Sequence, residues 1–171
     1  YLRLDPTTIT NLELLSTIRG EKSEATLISV LDNTHTAAGG RKLRNWLLHP
    51  LTNIDRINQR LDAVEILKNQ PAKRKKVQDI LSQILDMERL ISRVSVGTAN
   101  PRDLVGLKTS LEKWLELKKY LENEIPKLAY LFPNDSAVEI KPIIDILNKK
   151  IKPEPPATLY PQEIHLPAWK E

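Results

Sequence analysis

NPRDLVGLKTSLEKWLELKKYL, residues 100–121, decides the fold. Leu104, Leu107, Leu111, Trp114 or Leu115, and Leu121 recur at the spacing that puts side chains on one face of an α-helix. Asn100-Pro101 opens it, since a proline at the first helical position gives up an N–H that has no partner there anyway. Asp103 falls in the first turn, where a carboxylate suits the positive end of the helix. This is the longest helix the sequence predicts, and its neighbours repeat the pattern.

Upstream, Val77, Ile80, Leu81, Ile84 and Leu85 form one apolar stripe, and Met87, Leu90, Ile91 and Val94 continue helically after a kink near Asp86. Gly97 fits a C-terminal cap. Ile54, Ile57, Leu61, Val64 and Leu67 predict another helix, capped by Asn53 and favoured by Asp55. Pro71 closes that helix or opens the next. A helix over Ala37–Leu48 ends before Pro50, because the residue preceding a proline avoids the helical region. Thr26–Leu31 predicts one or two turns.

Nearer the start, Asp5-Pro6 begins a short helix, and Gly20 marks a turn. Tyr1–Leu4 alternates like a short strand, and Asn11–Leu15 reads as a helix end or a second strand. Downstream, Pro126 and Pro133 break the chain. Val138, Ile143, Ile146 and Leu147 predict a last helix that Pro142 kinks or delays. Prolines 153, 155, 156, 161 and 167 exclude regular structure from the tail. The expected fold is mostly α, an irregular multi-helix bundle with one or two short strands near the N-terminus. The expected domains are a helical body over 1–152 and an irregular tail over 153–171.

The 171 residues include no cysteine, which excludes disulfides, thiolate catalysis and zinc ribbons. A reducing, cytoplasmic setting is expected. No apolar run approaches the ~18 residues of a membrane span. The chain begins at Tyr1, which suggests that it is cut from something longer. A net charge of +4 permits contact with nucleic acid without demanding it. Aromatics are only 5%, too few to predict a base-stacking platform.

Gly39-Gly40-Arg41-Lys42 invites comparison with a phosphate loop, but its spacing fits neither G-x-x-x-x-G-K-[ST] nor G-x-G-x-x-G. A glycine clearing space for a crossing helix is the expected role. The histidines His35, His49 and His165 have no metal-ligand spacing. No nucleophile motif is present. Lys73-Arg74-Lys75-Lys76 is the densest charge run, expected to be a solvated face, with sequence-independent nucleic-acid binding as the alternative function. Arg89 and Arg93 lie four apart on one helix face, placed to pair with Asp86 or Asp103 beside Arg102 in a network that fixes a helix crossing. The expected structural residues are therefore Gly39, Arg41, Trp46, Arg89, Arg93, Arg102 and Asp103. Trp46 is expected to be a core anchor, whose truncation would cost about 3–5 kcal/mol if the indole is fully buried. No catalytic, metal or cofactor residue is expected in this segment.

Several blocks, in order, resemble the core (lever) domain of the bacterial MutS family, DNA mismatch-recognition ATPases. They are Leu4-Asp5-x-x-Thr8-x-x-Asn11-Leu12-Glu13-Leu14, then Leu31-Asp32-x-Thr34-x-Thr36-x-x-Gly39-x-Arg41-x-Leu43-x-x-Trp46-Leu47-x-x-Pro50-Leu51. Next come Ile57-x-x-Arg60-Leu61-Asp62-Ala63-Val64-Glu65, Asp86-x-Glu88-Arg89-Leu90-x-x-Arg93 and Ala99-x-Pro101-Arg102-Asp103-Leu104. Pro155-Pro156-Ala157-Thr158-Leu159 resembles the exit towards the family's clamp.

The resemblance implies a helical scaffold between an ATPase and a DNA clamp. It implies ATP and magnesium held elsewhere in the whole protein, a homodimer, mismatched duplex DNA and MutL as partners, and no membrane. The family's wedging Phe-x-Glu is absent, the one phenylalanine being Phe132, and so is a Walker motif. Tyr160–Glu171 resembles no part of the pattern. Without the helices that return from the clamp, apolar surface is expected to lie open and to invite self-association.

Overall fold

A computed structural model describes residues 1–18, 25–132, 136–152, 154 and 155, with the side chains of 136 and 137 left out. Gly20, Pro133, His165 and nearly all of the expected tail lie outside the described residues. The chain divides into two compact units, Tyr1–Pro71 and Ala72–Glu171.

The first unit holds α1 (Pro6–Asn11), α2 (Leu27–Leu31), α3 (Ala37–Leu48) and α4 (Ile54–Lys68). Side-chain caps start each helix. Asp5, Thr26, Thr36 and Asn53 accept the backbone N–H of Thr8, Ser29, Gly39 and Arg56 respectively, so each removes one of the orphan donors at a helix start. The expected strands are absent among the described residues. Tyr1–Leu4 has no regular secondary structure, and Leu2 N–H reaches the Pro50 carbonyl at 2.9 Å. Alternation over four residues cannot make a strand without a partner edge. Asn11 is a helix end, and the chain turns back through Glu13, which adopts φ +46°. Leu14 N–H reaches Ile9 carbonyl and Glu13 N–H reaches Thr10 carbonyl, a left-handed helix stop made without glycine.

The second unit is organised around α7 (Pro101–Glu124). Asn100 caps it reciprocally, its Oδ1 accepting Asp103 N–H while Asp103 Oδ2 accepts Asn100 N–H, both at 2.8 Å. That is the capping box, with Asp in the place more often held by Glu. At 24 residues α7 is about 36 Å long. α5 (Pro71–Leu81) begins at the proline and runs antiparallel to α7. Lys73 pairs with Glu124, Lys76 with Glu116, and Leu85, beyond the helix end, reaches Ser110. The expected kink near Asp86 is a full break, residues 82–86 separating α5 from α6 (Met87–Ser95). Gly97, at φ +73°, ends α6 in a Schellman motif, with Thr98 N–H on Arg93 carbonyl and Gly97 N–H on Val94 carbonyl.

After α7 a 3-10 helix over Pro126–Leu131 folds back, and α8 (Ser136–Lys150), with Pro142 inside it, returns along α7. Lys108 donates to Asn148, and Arg102 to the Pro155 carbonyl. Val77, Ile80, Leu90, Leu107, Leu117, Leu121, Ile125, Leu128, Ile144 and Ile151 form the buried apolar set of this unit. In the first unit only Leu14 is equally buried among the described apolar residues.

Candidate functional site

Two apolar residues and four charged ones gather where α6 meets the start of α7. Leu85, Asp86, Arg89, Leu90, Arg93 and Asp103 line a cleft of about 240 Å³. Asp86 caps α6 by accepting Arg89 N–H at 3.3 Å. The i, i+4 spacing puts Arg89 and Arg93 on one face of that helix. Arg93 Nη1 donates to Asp103 Oδ1 at 3.0 Å, and the Asp103 side chain is only 12% exposed. With its other oxygen on Asn100 N–H, Asp103 has both carboxylate oxygens engaged. A carboxylate held this way clasps two helices together; it has no lone pair positioned as a general base.

Of the four residues expected to form one network, the structure brings Arg93 and Asp103 together. Arg89 lines the same cleft. Arg102 turns away: its Nε donates to the Pro155 carbonyl at 3.3 Å, and it lines a separate hollow with Val105, Glu154 and Pro155.

Gly39 does clear space, but for its own capping turn. A Cβ there would stand 3.0 Å from Thr36 Oγ1 and 3.2 Å from Thr34 Cβ. At Gly40 the neighbours are Thr34 Oγ1 and Asp32 Oδ2. Asp32 holds that turn by accepting the N–H and hydroxyl of Thr34, and these bonds keep its carboxyl below the usual range. The start of α3 thus has a hydroxyl cap and an ionised carboxylate beside it, which disfavours a phosphate there. Arg41 lies exposed on α3.

Trp46 is not a core anchor. It is 39% exposed, and the Arg60 guanidinium lies 3.7 Å from the ring centroid. Helical spacing placed Trp46 on the apolar stripe, but α3 buries no residue fully, and an indole at the edge is covered by a cation instead.

The Lys73–Lys76 run is largely neutralised. Lys73 pairs with Glu124, Lys75 with Asp79 at 3.0 Å, and Lys76 with Glu116. His49 bonds locally, its Nδ1 lying 3.1 Å from the Asn45 carbonyl. Among the described residues no group of three potential ligands could hold a metal, and no buried side-chain polar atom lacks a partner.

Sequence reasoning missed Gly106 and Ser110. Ser110 is fully buried; its Oγ donates to the Gly106 carbonyl at 2.8 Å and accepts Leu85 N–H at 3.0 Å. A Cβ on Gly106 would come 2.8 Å from Leu85 Cδ1. The signal was present: two small residues four apart, inside a helix otherwise built of large ones.

The MutS domain III family model matches residues 7–166. The chain belongs to the MutS family. It is 42% identical over 162 residues to the DNA mismatch repair protein MutS of Halothermothrix orenii, with 93% of this chain and 18% of that relative covered. The MutS of Methanococcoides burtonii is 36% identical over 162 residues, covering 93% of this chain and 18% of the relative. That of Alkaliphilus oremlandii is 48% identical over 121 residues, 71% of this chain and 14% of its own. The chain therefore spans less than a fifth of the MutS relatives' length. The domain III match continues past Leu159 to residue 166, so more than half of Tyr160–Glu171, expected to lie outside the pattern, falls within it. In this chain the blocks around Asp86–Arg93 and Pro101–Leu104 build the α6–α7 clasp. Among the described residues no helix is long and apolar enough to cross a membrane.

Proposed function

We propose that this chain is a scaffold and lever segment of a MutS-type DNA mismatch repair protein, coupling regions outside it that bind mismatched duplex and hydrolyse ATP. One observation carries the reading: α7 is pinned along its length by polar bonds to neighbours that also share its apolar core. Lys73 and Lys76 hold it near its C-terminal end. Leu85 N–H meets it at Ser110, and Lys108 ties it to α8 at Asn148. Arg93 clasps its first turn. Interdigitated packing resists continuous deformation, so such an element transmits displacement as a body.

On this reading the segment is not itself an enzyme. ATP with magnesium, the second copy of a homodimer and MutL are partners of the whole protein, working in the cytoplasm with the DNA they repair. The test is to titrate the 171-residue chain with labelled ATP and with mismatched and fully paired duplexes. A lever segment shows no saturable ATP binding and no preference for the mismatch. Micromolar ATP binding, or tighter binding of the mismatched duplex, overturns the proposal.

A further inference from the structure

The first unit has a basic surface that, unlike the Lys73–Lys76 run, is not neutralised by ion pairs among the described residues. Lys42, Trp46 and His49 recur at i, i+4 and i+7 on and just beyond α3, hence on one face. Arg56 and Arg60 are four apart on α4. Arg60 stacks on Trp46, Arg56 stands 6.0 Å from the Tyr1 ring, and Tyr1 meets His49 edge-on at 6.2 Å. These contacts, with Lys42 one helical turn before Trp46, make one patch, which Leu2 N–H, bonded to the Pro50 carbonyl, helps to hold. Among the described residues, no carboxylate lies within ion-pair distance of Lys42, Arg56 or Arg60.

We propose that this patch is a sequence-independent contact for the phosphate backbone of duplex DNA. Three cations without a carboxylate partner supply the charge. A guanidinium already held over an indole, with its centre 3.7 Å from the ring centroid, loses little freedom when a phosphate arrives. Trp46 is then a positioning residue for Arg60, and that is a use for an exposed indole. Duplex DNA is chosen as the polyanion because the chain is read as part of a DNA-repair protein, and the proposal rests on that reading to this extent.

The experiment measures anisotropy of a labelled, fully paired duplex with the 171-residue chain from 50 to 200 mM salt. Release of counterions from three phosphates gives a log–log slope of about −2.7, a loss of roughly 40-fold across that range. Arg56→Gln with Arg60→Gln brings the slope to about −0.9, while circular dichroism stays that of the parent. Lys42→Gln alone, an exposed change, reduces the slope by about 0.9 and serves if the double variant fails to fold. Trp46→Leu weakens binding severalfold at an unchanged slope, and Lys75→Gln changes nothing.

Absence of binding at 50 mM salt, or a slope indifferent to the arginine and lysine variants, overturns the proposal. So does polyglutamate displacing the duplex as well, charge for charge, as unlabelled DNA does; that outcome assigns the face to an acidic protein. The lever reading fails on different results, ATP binding or a mismatch preference, so the two are separable.

Discussion

Ser110→Ala removes one oxygen and tests how α7 is held. Ser110 is fully buried, and its Oγ serves two bonds. The Gly106 carbonyl loses the hydroxyl but keeps its place in the helix ladder, accepting the N–H four residues on. The N–H of Leu85 has no such reserve. It leads out of the turn after α5 and is left without a partner. An orphaned donor of this kind costs about 1–2 kcal/mol. Alanine returns roughly 0.5 kcal/mol through its better helix propensity. The net loss is therefore about 1 kcal/mol, or a fall in Tm of roughly 2–4 °C for a chain of this size. Urea unfolding should show a lower midpoint at an unchanged m-value, and Ser95→Ala, exposed on α6, should show neither change. Hydrogen exchange gives the local readout: the Leu85 amide is protected in the parent and exchanges faster in Ser110→Ala than amides elsewhere in the second unit. A variant within about 0.3 kcal/mol of the parent, or a Leu85 amide unprotected in the parent, would refute the pinning argument.

Leu128→Ala empties a site that is 1% exposed inside the 3-10 helix, and unfolding should record a loss of about 3–5 kcal/mol. Trp46→Ala should cost only about 1–2 kcal/mol in the same assay, because the indole is partly in water and gives up one cation–π contact along with partial burial. Glu116 titrates below its ordinary 4.5, chiefly through its hydrogen bond from Lys113 and then the Lys113 and Lys76 charges. A depressed folded-state value contributes stability that is complete above 4.5 and is lost as pH falls through that lowered value. Carboxyl NMR should place the Glu116 midpoint below 4.5, and Lys113→Gln should raise it towards 4.5. Native-state exchange should find the first unit opening more easily than the second, since Ile54, Leu61 and Val64 of α4 are largely exposed while α7 contributes Leu107, Leu117 and Leu121 to the core.

Helices were legible wherever a cap preceded a periodic stripe. Asp5, Asn53 and Asn100 each cap where the sequence places them, and Gly97 takes the left-handed stop expected of it. These are local effects, decided within one turn of chain. The strands failed for the converse reason. Alternation in Tyr1–Leu4 is a local pattern, but a strand requires a second edge far away in sequence, and the chain offers Leu2 only the Pro50 carbonyl. Burial was the least legible property. Ile91 and Val94 lie on the same periodic stripe as Leu90, yet Leu90 is buried and they are not, because the depth of a stripe depends on what packs against it.

The same division governs charge. Lys73-Arg74-Lys75-Lys76 is the conspicuous basic run in the sequence, yet what a cation can do depends on where carboxylates arrive after folding. The antiparallel course of α5 along α7 delivers Glu124 and Glu116 to Lys73 and Lys76, and Asp79 on the same helix takes Lys75. An exposed ion pair of this sort contributes under about 1 kcal/mol to stability, but it removes most of the local field that a polyanion would meet. Lys42, Arg56 and Arg60 are scattered across 19 positions of sequence and form no run. Folding sets Arg60 over Trp46 and Arg56 beside Tyr1, with Lys42 one helical turn before Trp46 on α3. A basic surface is thus a property of the folded arrangement. In this chain the densest run of lysines is the poorer guide to it, and one stacked arginine on a half-exposed tryptophan is the better.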